Sequence, residues 1–168
     1  MKKIIQSLFV GTTGLTLAIL IGNRPANALT FVLSQLGWEG NGQVTGVFSA
    51  EDKNGNNIIE YNLAMGQEEV FAYEMSFSGN SNFDNFTHTL DNLENLVYNL
   101  SDNTGRITSI GDSNYISIGF NNLGFIGQNN DSIRSNQEVI IMQVSESTSW
   151  IVLVLFAFGA YFKRAQKY

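Results

Sequence analysis

The chain lacks cysteine altogether and contains a single histidine and a single proline. Without cysteine it can have no disulfide framework, thiolate metal site or cysteine nucleophile. Any triad would have to be built on His88, and the sequence contains no G-x-S-x-G, H-E-x-x-H or P-loop motif. We therefore predict no catalytic residues, and we expect His88 to be a hydrogen-bonded strand residue. Glu68 and Glu69 are adjacent, so on a strand they point to opposite faces and cannot flank one glycosidic bond.

Basic residues are scarce in the central part of the chain. All fifteen acidic residues but only three basic ones lie between positions 29 and 149, which gives this part a net charge of −12. A surface this acidic repels nucleic acid and anionic lipid. The composition excludes nucleic acid as a partner and suits a solvated extracellular domain or one that gathers cations.

The N-terminus has the pattern of a secretory signal peptide. A lysine pair is followed by a largely apolar stretch over positions 4–21, and small residues stand at Ala26 and Ala28. Signal peptidase requires small side chains at these two places before the cleaved bond. We predict that this enzyme removes residues 1–28; the alternative is an uncleaved membrane anchor.

A long apolar run lies near the C-terminus and is followed by a basic tail. Thirteen residues, WIVLVLFAFGAYF, precede Lys163 and Arg164. As a helix this run is roughly 20 Å long, short of the ~30 Å hydrocarbon core of a bilayer. Because basic residues stay on the cytoplasmic side, the tail favours a C-terminal transmembrane helix with the body exported, over a buried core helix.

This order of segments resembles the PEP-CTERM proteins of bacterial envelopes. In that family a Pro-Glu-Pro tripeptide, one helix and a basic cluster end the chain, and an exosortase processes them. Ser145-Glu146-Ser147 stands in that place here, so Glu146 matches the central glutamate and both prolines are replaced by serine. The resemblance implies that residues 145–168 are a sorting segment, with Glu146, Lys163 and Arg164 as its recognised residues.

The body also resembles a group of cyanobacterial PEP-CTERM proteins. The shared motifs are a strand ending in SQ-x-G-[FW], a G-x-F-x-[AG]-x-D-x-N-G turn and a later F-S-G-N-S. They correspond here to Ser34–Trp38, Gly46–Gly55 and Phe77–Ser81. The resemblance implies an exported envelope protein with no defined biochemical activity.

Apolar residues alternate with polar ones through positions 29–144, which is typical of half-buried strands. The alternating apolar sets are Phe31 and Leu33; Phe71, Tyr73, Met75 and Phe77; Leu96, Tyr98 and Leu100; Ile116, Ile118 and Phe120; Val139 and Ile141. Segments rich in Asn and Gly predict turns at 37–42, 53–57, 79–82, 101–105 and 121–131. We predict an all-β domain of roughly seven to nine strands, either an antiparallel sandwich or an up-and-down barrel.

One polar segment, DKNGNNIIE, resembles the first nine positions of an EF-hand-type calcium loop. Asp52, Asn54 and Asn56 occupy the side-chain ligand positions 1, 3 and 5. Ile58 would supply the backbone carbonyl at position 7, and Glu60 stands at position 9. The segment therefore predicts a weak Ca²⁺ site.

The segment departs from the pattern at two positions. Asn57 replaces the glycine at position 6, although Asn also tolerates left-handed backbone, and Leu63 replaces the bidentate glutamate at position 12. A substitute carboxylate would come from Glu68 or Glu69. The alternative interpretation is a plain hairpin turn at Asn54-Gly55.

Two functions fit these observations. The first is a non-catalytic exported protein of the cell envelope or surface, associated with exopolysaccharide or biofilm matrix. The second is a carbohydrate-binding module, in which Trp38 would stack on sugar. We expect Trp38 to close one end of the core instead.

Overall fold

Two antiparallel sheets make up the computed structural model, which describes residues 27–120 and 123–144. The first, sheet A, has the strand order β12-β1-β2-β5-β6. Its strands are β1 (Leu29–Gln35), β2 (Gln43–Ala50), β5 (Val70–Ser78), β6 (Phe86–Thr89) and β12 (Ile140–Val144). Sheet A therefore pairs the first and last strands of the described chain, and Thr30 lies opposite Val144.

The second sheet, sheet B, has the order β11-β10-β9-β8-β7-β3-β4. Its strands are β3 (Ile58–Asn62), β4 (Gln67–Glu68), β7 (Leu93–Asn99), β8 (Thr104–Ile110), β9 (Asn114–Gly119), β10 (Leu123–Gln128) and β11 (Asp131–Ser135). Two short 3₁₀ turns, Leu63–Met65 and Leu90–Asn92, precede β4 and β7. The predicted all-β antiparallel class is confirmed, with twelve strands in the described residues instead of seven to nine.

Aromatic rings from both sheets meet in one core. Phe31 and Phe48, on neighbouring strands of sheet A, stack with their ring centroids 4.8 Å apart. Tyr98 of sheet B presents its ring edge to both, at 5.1 Å and 6.1 Å. Such pairs contribute about 0.5–1.5 kcal/mol each beyond the area they bury. The two sheets thus face each other across the core in a sandwich-like arrangement, rather than closing into a barrel.

The predicted alternation places most side chains correctly, with one exception on β5. Tyr73, Met75 and Phe77 are buried as expected, but Phe71 is only half-buried and does not pack against the core cluster. The other half-buried members of the predicted sets do pack against it: Leu100, Phe120, Val139 and Ile141. The pairing of β2 with β5 shifts register there, so that Ala50 lies opposite Val70. A bulge inserts one extra residue and changes the face of every side chain beyond it, and Phe71 is turned away from the core.

The prediction of one long turn over 121–131 is wrong. Strand β10 occupies 123–128 and pairs with both β9 and β11. Two glycines concealed this strand in the sequence, because glycine favours turns. At Gly124 a Cβ atom would lie 2.6 Å from the Trp38 ring, so the indole ring requires a glycine in this strand.

Several sequence predictions concern residues outside the described part. Ala26, the sorting residues Glu146, Lys163 and Arg164, and the apolar run at 150–162 all lie there. Ala28 is described and directly precedes β1. Among the residues that the structure does describe, no helix has the length and apolar content needed to cross a bilayer.

Candidate functional site

The predicted calcium segment connects the two sheets. Strand β2 belongs to sheet A and β3 to sheet B, so residues 51–57 form a crossing between sheets. The hairpin-turn alternative is therefore wrong, since the flanking strands do not pair with each other.

Asp52 organises this crossing through its carboxylate. Its Oδ1 accepts hydrogen bonds from the backbone N–H of Gly55 at 2.8 Å and of Asn56 at 3.2 Å, and its Oδ2 accepts from Asn57 at 2.8 Å. Gly55 and Asn57 have φ angles of 73° and 62°, in the left-handed region. Asn57 thus adopts the backbone that a glycine has at position 6 of a calcium loop.

The other two predicted side-chain ligands turn toward the same loop. Asn54 Oδ1 accepts from Asn56 N–H at 2.9 Å, and Asn56 Oδ1 accepts from Ile58 N–H at 2.7 Å. The side-chain oxygens of Asp52, Asn54 and Asn56 therefore all accept hydrogen bonds from backbone N–H groups of the loop or of Ile58, the first residue of β3.

Glu69 closes the crossing from the core side and is only 5% exposed. Its Oε1 accepts from Lys53 N–H at 3.0 Å, and its Oε2 accepts from Glu60 N–H at 2.9 Å. Glu68 is exposed. Of the two proposed substitute carboxylates, Glu69 is thus the one that reaches the loop, where it joins Lys53 to Glu60 on β3.

Calcium binding stays a prediction. Within residues 27–120 and 123–144, no group of three or more His, Cys, Asp or Glu side chains is arranged to hold a metal ion. Besides the carboxylates of Asp52 and Glu60, the loop would have to rely on amide and backbone oxygens, a weak donor set for Ca²⁺.

His88 lies in the core between the two sheets and is 2% exposed. Its Nδ1 is 2.7 Å from Ser109 Oγ on β8, and its Nε2 is 2.5 Å from Asn114 Oδ1 on β9. Because a carbonyl oxygen only accepts, Nε2 carries the proton and Ser109 donates to Nδ1. Burial lowers the pKa of His88, although the bond to Asn114 opposes this shift.

The same network also includes Tyr73, which lies on β5 beside the strand of His88 in sheet A. The Tyr73 hydroxyl donates to Ser109 Oγ at 3.0 Å, and burial raises its pKa. Ser109 is fully buried, and its hydroxyl bonds both Tyr73 and His88, so no substrate carbonyl can reach it. The Ser-His-Asn arrangement is therefore a core hydrogen-bond network, and the expectation for His88 is confirmed.

Trp38 is a core residue, as expected, and is 3% exposed. Its ring meets Phe77 edge-on at 6.0 Å, and its Nε1 donates to Gln35 O at 3.2 Å. Neither face of the indole is presented to solvent, so this residue offers no platform for a sugar ring.

Strands β8, β9, β10 and β11 share a solvent-facing surface, hereafter the outer face, that was not predicted from the sequence. Alternation with buried Ile107, Ile116, Ile126 and Ile133 turns the neighbouring side chains outward. The outward residues include Arg106, Thr108, Tyr115, Ser117, Phe125 and Arg134. The sequence pattern that could have predicted this surface is the alternation of outward and inward residues in LGFIGQ. Its two glycines and the flanking asparagines made the segment resemble a turn.

Comparison of the chain with protein-family models, with curated proteins and with solved structures found no match.

Proposed function

We propose that residues 29–144 form a non-catalytic domain of an exported bacterial envelope or surface protein, associated with exopolysaccharide or biofilm matrix. The enclosed position of His88, the one histidine in the chain, supports a non-catalytic role. Asp52 and Glu69 support it further, because their carboxylates accept backbone hydrogen bonds that hold the fold together.

Export and sorting rest on the two ends of the sequence. Signal peptidase would cleave after Ala28, and the apolar run at 150–162 would hold the chain in the inner membrane with Lys163 and Arg164 in the cytoplasm. The tail around Glu146 is the substrate we propose for an exosortase. Deleting such an enzyme should then leave a larger form that stays in the membrane.

The test of export is mass spectrometry of the mature chain, tagged internally at an exposed turn. The expected first residue is Leu29. Replacing Ala28 by Leu should block cleavage, whereas replacing it by Gly should preserve it, because signal peptidase accepts only small residues there. A mature wild-type chain that retains residues 1–28 would contradict the proposal.

A carbohydrate-binding module is the second candidate, and the outer face favours it. Tyr115 is 38% exposed, and its ring covers Gly127 on the adjacent strand, where any Cβ would collide with it. Phe125 lies on the same face, two residues before Gly127. An exposed ring held on a sheet surface, such as that of Tyr115, can stack on a sugar ring, a role that the buried Trp38 does not support.

A further inference from the structure

Both arginines in the described residues project from one face of an otherwise acidic domain. Arg106 on β8 and Arg134 on β11 are exposed and alternate with buried isoleucines. Neither forms an ion pair with another residue of the described ranges. Lys53, the remaining basic residue there, lies outside this face in the crossing between the sheets.

The strand register orders the surface between the two arginines. Arg134 pairs with Phe125, Phe125 with Ser117, and Ser117 with Thr108, in one row across four strands. The next row contains Arg106, which pairs with Gly119. A strip of hydroxyl groups and one aromatic ring therefore separates the two cationic ends.

Phe125 holds the guanidinium of Arg134 in place. The guanidinium carbon lies 5.1 Å from the centre of the Phe125 ring, within the range of a cation–π contact. A ring below the guanidinium leaves its N–H edge free for a planar acceptor such as a carboxylate.

We propose that the outer face binds an extended, carboxylate-bearing polysaccharide such as a uronic acid polymer. Arg106 and Arg134 would bind carboxylates, Thr108 and Ser117 would bond to sugar hydroxyls, and Tyr115 would stack on a sugar ring. The proposal rests on the exported, matrix-associated role given above and names the ligand class and surface for it.

The spacing of the arginines selects a chain over a single sugar. They stand three strands apart, which at about 4.8 Å per strand is roughly 14 Å. That span exceeds one sugar ring, so one ligand contacts both arginines only if it is an oligomer.

Acidic groups near this face restrain binding without preventing it. Glu39 accepts a hydrogen bond from the backbone N–H of Arg134 at 3.3 Å, and Glu60 shares a row with Arg106 two strands away. The net charge of −12 between positions 29 and 149 opposes an anionic ligand, but charges more than about 8 Å from that ligand are largely screened at physiological salt. The expected binding is therefore modest and depends on both arginines.

The experiment is calorimetry on the full-length chain, purified in a non-ionic detergent, with hexagalacturonate and with neutral maltohexaose. We expect saturable binding of hexagalacturonate only. Arg106→Gln and Arg134→Gln should each weaken it severalfold, and together by about tenfold or more, because each removes one charge-assisted contact. Lys53→Gln, which removes the same charge elsewhere, should leave affinity unchanged.

Three outcomes would overturn the proposal. These are equal affinity for both oligosaccharides, an equal effect of Lys53→Gln, and binding to phosphatidylglycerol vesicles without binding to hexagalacturonate. Unchanged melting temperatures of the arginine variants establish that the fold is intact. Because binding is measured on purified chain, its failure leaves the export proposal standing, and failed cleavage after Ala28 leaves the binding result standing.

Discussion

Individual carboxylates stabilise the crossing between the sheets by accepting backbone hydrogen bonds, and we expect Glu69 to contribute most to the stability of the fold. Replacing Glu69 by Gln should lower the free energy of unfolding by about 1–3 kcal/mol, because one of the two partly buried hydrogen bonds from backbone N–H groups to its buried carboxylate is lost. Chemical denaturation measures this. Glu68→Gln is the control, since an exposed neighbour should change stability by less than about 0.5 kcal/mol. Equal losses in the two variants would refute this role for Glu69.

Calcium binding at Asp52 has its own test. Calorimetry of the full-length chain should give a dissociation constant of about 10⁻⁴–10⁻³ M, the range of extracellular calcium modules. Asp52→Asn is the appropriate variant, because it removes the charge while keeping an oxygen for the amides of Gly55 and Asn56. If calcium addition gives no heat in the parent chain, or gives the same heat in the variant, the crossing is a purely structural loop.

His88 makes stability depend on pH in a defined direction. Its pKa is lowered in the folded state, so below about pH 6.5 the unfolded chain takes up the proton first. Stability is therefore full above the unfolded pKa and falls as pH drops toward the folded pKa, by at most about 1.4 kcal/mol per pH unit. Protonation also turns Nδ1 into a donor, so the buried Ser109 O–H loses its acceptor.

Denaturation between pH 5 and 7 measures this effect in the parent and in His88→Gln. The chain has one histidine, so the variant should lose most of the slope in this window, whatever its absolute stability. A slope that persists unchanged in the variant would assign the titration to another group.

Among the strands, β10 shows most clearly how packing selects residues. Gly124→Ala should destabilise by about 1–3 kcal/mol, because the new methyl group would lie 2.5 Å from Gln35 Oε1 and 2.6 Å from the Trp38 ring. Gly119→Ala, on β9, is the matched control, since its nearest neighbour would be Leu123 O at an ordinary 3.6 Å. Thermal unfolding of both variants tests this, and equal melting temperatures would contradict the close approach.

For the molecule as a whole, the core network couples the two sheets. Tyr73 and His88 belong to sheet A, and Ser109 and Asn114 belong to sheet B. His88 thus links the edge strand β6 to the β8–β9 hairpin through two hydrogen bonds. The outer face lies on the opposite side of that hairpin. The strands that would bind polysaccharide are therefore fixed by hydrogen bonds on their core-facing side.

The alternation of apolar and polar residues was enough to predict an all-β domain and most of its inward side chains, including Phe31, Leu33 and Ile118. The reason is that a strand's two faces repeat every second residue whatever its partner. The Asn and Gly residues at 53–57 likewise predicted a turn, and the structure shows Asp52, Asn54 and Asn56 accepting hydrogen bonds from backbone N–H groups two to five residues further along the chain.

Tertiary structure alone decided the pairing of strands. The crossing at 51–57 looked like a hairpin because its Asn-Gly pair suits one, yet β2 and β3 joined different sheets. The bulge that turned Phe71 outward, the ring over Gly124 and the shared face of Arg106 and Arg134 depend on residues far apart in the chain. Such contacts follow from register and packing between strands, and no local pattern specifies them.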